Sequence, residues 1–474
     1  MTAFKKFVLA LTATTALCAV AYPAFANGDD VAVDALVVEQ VQTTAPVVTP
    51  VAQVAADAPG AVVMGDTVLR AIQTHPQIKA GKDAQRQAEK GVIEERSGFF
   101  PVVGVDGQFG HANTSDLDTR ALTGSSSNVN SWYGTGTVSL TQPIFSGMST
   151  VNRLEGAKDR YQAVTLDLAG TAEDVALRAA RVHLNLMRTR DLLILATNFI
   201  GDIDTRHNNI ALMVQEGAAD EAELLQANEI KAAAYNSRLA YEEAYRQAEA
   251  EYIEVTGEPP AAHLAFGAID WTSMLPPTID VAVSEALKDS PRILAADKMT
   301  AALDSEAKAE KGILSPRLDA GISHMRLDQK DDMGGESNST RAMLKLGWSF
   351  STGGAEQARI DRARAQAAEA RAKREDVTRR IEYGARQKFV AMHIADQQFG
   401  LLSEREEASR QLLENFTVQF EGGRQTNLQL IAAASRLFEA QAARTDAYYR
   451  KVQAQLELLN VMGKLRSSFG AGAG

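Results

Sequence analysis

Apolar residues return at every seventh position over a long central stretch of the chain. One seam reads Leu154, Tyr161, Leu168, Val175 and Val182, and continues through Thr189 and Ala196 to Ile203 and Ile210. A second reads Ala157 and Val164 and then, after one skip, Ala172, Ala179, Leu186, Leu193, Ile200, His207 and Val214. Sevens sustained over many turns are coiled-coil patterning, and no proline lies between Pro143 and Pro259. The pattern predicts a helix over about 148–215, roughly 100 Å long at 1.5 Å per residue, with a counterpart over about 355–421. Each stops at glycine, at Glu216-Gly217 and at Glu421-Gly422-Gly423, and return helices follow over about 220–255 and 426–462.

Ahead of each long helix the period changes from seven to two. Val103, Val105 and Phe109 alternate with small or polar residues, as do Val138, Leu140 and Ile144, and later Met343, Leu344, Leu346 and Trp348. Period two with polar interleaving predicts strands with two unlike faces: 102–111 with 133–144, and 317–326 with 341–350. A helix of moderate length precedes each hairpin, over 65–98 and 281–314, and the proline that follows disfavours helix at its last residue.

This order occurs twice because the chain is duplicated. Ala71-Ile72 with His75-Pro76 resembles Ala286-Leu287 with Ser290-Pro291, and the prolines lie 215 positions apart. Pro101 and Pro316 keep the same offset. Gly147 and Gly353, Gly217 and Gly423, and Gly257 and Gly463 all lie 206 apart, so one nine-residue insertion between Pro101 and Gly147 accounts for the set. A repeat kept over that span organises the whole fold.

At the N-terminus, Lys5 and Lys6 precede an apolar run from Phe7 to Ala21, and Ala24-Phe25-Ala26 offers a small-x-small cleavage site. This is the pattern of a signal peptide over 1–26, with 27–64 as a flexible lead. Leu17 before Cys18 is too bulky for a lipid-attachment site. With Cys18 removed, the mature chain has no cysteine, hence no disulfide and no thiol nucleophile. The net charge of -11 argues against a nucleic-acid partner, which needs clustered Lys and Arg. The seven histidines form no close metal-ligand pair, and neither a nucleophile elbow nor a Gly-rich phosphate loop occurs. No catalytic, cofactor or metal residue is assigned, and the chain reads as a non-enzyme. No later stretch reaches eighteen consecutive apolar residues, but a membrane β-barrel shows only alternating segments of about ten residues.

Two hairpins supply four strands, which cannot close a barrel, and open edges are not tolerated in lipid. If the strands lie in a membrane, several copies must share one barrel. A symmetric trimer would have twelve strands above twelve helix columns.

The landmarks Phe100-Pro101-x-Val103, Leu140-x-Gln142-Pro143-Ile144-Phe145-Ser146-Gly147, Trp348-x-Phe350-x-x-Gly353-Gly354 and Phe420-Glu421-x-Gly423-Arg424-x-Thr426-x-Leu428-x-Leu430, in this order within a duplicated chain, resemble the TolC family of outer-membrane efflux and secretion proteins. The resemblance covers about 65–466. It implies a mainly α fold with β: a trimeric 12-stranded β-barrel in the outer membrane and a long periplasmic α-helical barrel. Two repeats, 65–257 and 281–466, would flank a Pro-rich equatorial linker at 258–280, with a flexible tail at 467–474. The implied partners are two further copies, outer-membrane lipid, a periplasmic adaptor (membrane-fusion) protein, and an inner-membrane pump or ABC transporter. The implied role is an exit duct passing drugs, other small molecules or secreted proteins.

The resemblance also places a gate and adaptor docking at the helix tips. The tip turns are Gly217 and Gly422-Gly423 with Arg424. Many family members carry aspartates just past the second glycine turn, forming an acidic constriction, whereas this chain has Gln429 and Ala432 there. The matching acid in the first repeat is Glu223, with Asp220 and Glu221 beside it, so an acidic ring would come from one repeat. The same acids also suit a helix N-terminus. Two alternatives stand beside an efflux duct: a dedicated type I secretion component, and a periplasmic coiled-coil scaffold, which would not need the hairpins.

Overall fold

The computed structural model describes residues 61–114, 129–267, 271–330, 335–349 and 351–470. The expected signal peptide and most of the lead lie outside these residues.

In chain order the elements are β1 (Val62–Val63), α1 (Met64–Thr74), α2 (Pro76–Ser97), β2 (Val102–Thr114), β3 (Val129–Phe145), α3 (Ser149–Gln215) and α4 (Glu221–Thr256). The second half contains β4 (Leu264–Ala265), α5 (Ile279–Asp289), α6 (Pro291–Lys311), β5 (Arg317–Lys330), β6 (Gly335–Gly347), α7 (Ala355–Glu421), α8 (Asn427–Val461) and a short α9 (Leu465–Ser468). The two long helices have 67 residues each.

Four expectations need correction. The helices expected over 65–98 and 281–314 are each broken at the proline. His75 (φ -62°, ψ 133°) and Ser290 (φ -63°, ψ 117°) are extended, because a following proline ring disfavours helical backbone. Pro76 and Pro291 then start new helices, where a missing N–H costs nothing. The strands run further than the apolar alternation, since ladder hydrogen bonds need no apolar side chains; β2 and β3 pair from Val102↔Thr141 to Thr114↔Val129. The lead is ordered before residue 64: Val62 and Val63 pair in parallel with Leu264 and Ala265, and Met64 is fully buried. The expected tail at 467–474 begins with docked residues, because Phe469 is buried against the core that also holds Leu465.

The sheet order is β2-β3-β5-β6, antiparallel throughout, with β2 and β6 as its edges. Register puts Val103, Leu140 and Ile322 on one face with Val105 and Val138, and Leu344 and Leu346 share it. These side chains are exposed; Phe109, also on this face, is 80% exposed. The opposite face carries Asp106, Gln108, Thr137, Ser139, Ser323 and Arg341, interrupted by Val102, Met325 and Met343. Burial of one face alone normally makes such alternation; here the apolar face is the one left open.

Helices α2, α3, α4, α6, α7 and α8 form a single layer four columns wide. Near the sheet the neighbours run α2, α3, α6, α7, and away from it α4, α3, α8, α7. α4 thus continues the column of α2, and α8 that of α6. Small residues let the columns approach: Gly156 of α3 packs against the Ala302 carbonyl of α6, and Ala172, Ala176 and Ala179 lie in the core. The largest core sits at mid-height, where α1, the linker's Phe266 and Trp271, and Phe469 cover one face of α3. There His183 is fully buried.

Candidate functional site

At the far end of the layer the two repeats make the same turn. Gly217 (φ 74°) and Gly423 (φ 69°) both take the left-handed backbone that only glycine adopts freely. The Ala218 N–H donates to the Met213 carbonyl at 2.7 Å, and the Arg424 N–H to the Gln419 carbonyl at 2.8 Å. Each helix end is thereby closed through its last carbonyls. Asp220 and Thr426 then cap the return helices: the Asp220 carboxylate accepts from the Ala222 N–H at 3.4 Å and the Thr426 hydroxyl from the Gln429 N–H at 3.3 Å.

The turns match in backbone and differ in charge. Glu216, Asp220, Glu221 and Glu223 give the first tip four acids; the aligned positions Gly422, Thr426, Asn427 and Gln429 have none, and Arg424 stands where the first tip has Ala218. Glu223 is half-buried in the first turn of α4. Among the described residues no ion pair forms at Glu216, Asp220, Glu221 or Glu223. Gln429 instead completes a capping box, its side-chain oxygen accepting from the Thr426 N–H at 3.2 Å.

Sequence reading missed the polar network one step above the first tip. Asp204 of α3 accepts from Lys231 Nζ at 2.8 Å and from the Tyr235 hydroxyl at 2.8 Å. Those bonds, Lys231 first, hold the Asp204 carboxyl below its ordinary range. His207 bonds Asn228 at 2.7 Å beside it. Lys231 and Tyr235 are four apart and share a helix face, but their common partner 31 positions before Tyr235 leaves no local signal.

Along α3 a polar stripe lies opposite the face covered at mid-height. The arginines on it are paired across columns: Arg178 with Glu254, Arg181 with Glu457, and Arg188 with Asp446 at 2.8 Å. Glu457 also holds Lys388 of α7 at 2.6 Å, tying three columns together. Nearer the sheet, one groove of about 980 Å³ is lined by α2, α3, α6 and α7 alike. A single groove touched by all four columns is the concave side of a curved layer. No helix among the described residues is long and apolar enough to cross a membrane, while the sheet exposes Val105, Phe109, Leu344 and Leu346 on one face.

The sequence matches the outer membrane efflux protein family twice, over residues 68–258 and 282–464. The chain belongs to this family. Its two matches are the two repeats, and as an outer membrane efflux protein it is a channel protein of the outer membrane. No curated protein matches it in sequence. Among solved structures, the CmeC outer membrane channel of Campylobacter jejuni superimposes with a TM-score of 0.72 at 14% identity, covering 85% of this chain and 86% of that one. VceC of Vibrio cholerae gives 0.71 at 14% identity, over 84% and 96% of the two chains. The open state of MtrE of Neisseria gonorrhoeae gives 0.69 at 15%, over 85% and 89%. At such identities the likeness establishes a shared TolC-like fold.

Proposed function

We propose that three copies of this chain close into one exit duct, which receives cargo from an inner-membrane pump through a periplasmic adaptor and releases it outside the cell. The observation that carries this reading is that every layer of the subunit ends in unpaired sides that match. β2 and β6 are open edges, and the layer ends in α2 and α4 on one side and α7 on the other. The outer side of α4 carries exposed Leu225, Leu239 and Ile253, fourteen residues apart, and α7 carries exposed Tyr383, Val390 and Leu401. Apolar residues in sevens on the outer side of α4, and from Tyr383 to Val390 on α7, on helices packed on one side only, call for another helix. Joining α7 of one copy to α2 and α4 of the next, and β6 to β2, is a head-to-tail contact that closes as a ring.

On this reading the open apolar face of the sheet meets lipid and the polar face lines the pore, as membrane barrels require. The glycine turns at Gly217 and Gly423 form the periplasmic mouth where an adaptor docks, and Glu223 with Asp220 narrows and charges it. The experiment is reconstitution of outer-membrane-purified protein into planar bilayers. Discrete, long-lived conductance steps are expected; protein that stays in the soluble periplasmic fraction and gives no steps would overturn the reading in favour of a coiled-coil scaffold.

A further inference from the structure

Resting on the duct reading above, we infer that the groove beneath the sheet is a binding station for amphipathic organic anions on their way through the pore. The groove has about 980 Å³, the size of a drug-sized site. Its floor is made of small side chains, Ala84, Ala88, Gly91, Ala157, Ala309 and Ala363. That composition leaves room for a flat apolar body where longer residues would fill the space.

Its rim is charged, and unevenly so. Arg153 and Arg160 reach in from α3 but are engaged by Glu310 at 3.7 Å and by Glu306. Glu94 and Glu95 stand on the α2 side with Lys90, whereas the α7 wall offers Arg359, Arg362 and Gln366 and no acid. Among the described residues neither Arg359 nor Arg362 forms an ion pair within 4 Å, although Glu356, one turn before Arg359, lies in its field and Arg364 pairs with Asp361 at 3.0 Å. Two exposed guanidinium groups three residues apart on one helix are neighbours and present fork-shaped donors suited to carboxylate or sulfonate oxygens. An aromatic carboxylate or sulfonate would lay its ring on the alanine floor and its charge on the α7 wall. Three-fold repetition would set three such walls around one lumen, and a local run of like charge in a confined space concentrates counter-ions beside it. The acidic first tip and this basic wall would then lie at opposite ends of the α-helical conduit.

The test is block of single-channel current in planar bilayers by pyrene-1,3,6-trisulfonate added from the barrel side, with a pyrene bearing a quaternary ammonium group as control. Arg359→Gln/Arg362→Gln should raise the half-blocking concentration of the trisulfonate about tenfold, within the range that charge focusing supplies, and leave the cationic probe unchanged or improved. Gly91→Phe keeps every charge but fills the floor. An added Cβ there meets nothing within 4 Å, so this variant should assemble normally and also weaken block. Unchanged block in both variants would overturn the inference. So would unchanged block with a lowered melting temperature in the arginine variant, which would mean that Arg359 and Arg362 pair with acids of an adjacent copy. Absence of any conductance from the unaltered protein would instead refute the duct reading on which the inference rests.

Discussion

Glu223 and Gln429 occupy the same position of the two return helices, third from the cap, but only Gln429 reaches back to bond its cap's backbone N–H, at 3.2 Å. Glu223 makes no such bond among the described residues; on the duct reading its charge faces the opening. We expect Glu223→Gln to lower cation selectivity and to weaken block by multivalent cations, since a narrow mouth lined by one sign raises local counter-ion concentration. Gln429→Glu should raise selectivity while keeping the capping box, which Glu completes as well as Gln. Gln429→Asp, with a side chain one carbon shorter, should lose the reciprocal bond and about 0.5–1 kcal/mol of stability. Reversal potentials in a salt gradient check this; unchanged potentials in the Glu variants would reduce Glu223 to a helix-dipole partner.

His183 and Glu173 are two buried groups at mid-height that respond to pH in opposite senses. His183 donates from Nε2 to the Ala265 carbonyl at 3.1 Å, so its Nδ1 accepts from the Thr67 hydroxyl at 2.9 Å. Burial pushes its pKa down from 6.5 to about 4. The folded state therefore binds fewer protons than the unfolded chain between these values. His183's contribution is complete above about pH 6.5 and is lost as pH falls toward 4, by up to about 3 kcal/mol.

Glu173 works in the opposite sense. Its carboxylate accepts from the Arg466 N–H at 3.1 and 3.3 Å, yet burial dominates and raises its pKa from 4.5 to about 7. The folded state holds the extra proton, so stability falls as pH rises from 4.5 toward 7. Glu173→Gln keeps an acceptor for the Arg466 N–H and removes the ionisation. It should raise stability at pH 8 by up to about 3 kcal/mol and change little at pH 4.5. Thermal melts of the two proteins at both pH values test this, and a variant less stable at pH 8 would contradict it.

Where the first hairpin turns into α3, Gly147 and Gly312 meet backbone to backbone. A Cβ on Gly147 would lie 2.5 Å from the Gly312 carbonyl oxygen. The next residue, Met148, is the one non-glycine with positive φ (65°) among the described residues, and its counterpart in the second repeat is Gly354 (φ 72°). Since the left-handed conformation costs an L-residue roughly 1–2 kcal/mol, Met148→Gly should stabilise the fold by about 1 kcal/mol. Gly147→Ala should prevent assembly or lower the melting temperature sharply. Heat-modifiability of the assembled protein on gels distinguishes the two outcomes.

The parts legible in the sequence were those governed by local period. Sevens from Leu154 to Ile210 announced α3, and glycine at 217 and 423 ended the long helices, because periodicity and left-handed turns are properties of neighbouring residues. The breaks at His75-Pro76 and Ser290-Pro291 were equally local but hidden, since apolar residues continue on both sides of the proline. Met64 and Phe469 escaped because what orders them is distant in sequence: a core on α3 and, for Val62 and Val63, the strand at Leu264. At the tip, the glycine turns and the place of Glu223 in the first turn of the return helix could be read from sequence, whereas the Asp204–Lys231–Tyr235 network, which joins two helices, could not.

Assembly is the central claim, because a four-stranded sheet with open β2 and β6 edges is a pore only in company. The measurement is native mass spectrometry of the protein extracted from outer membranes in mild detergent. The account predicts one dominant species with the mass of three mature chains, stable until heated. A dominant single-chain mass, in protein that still melts cooperatively, would contradict it.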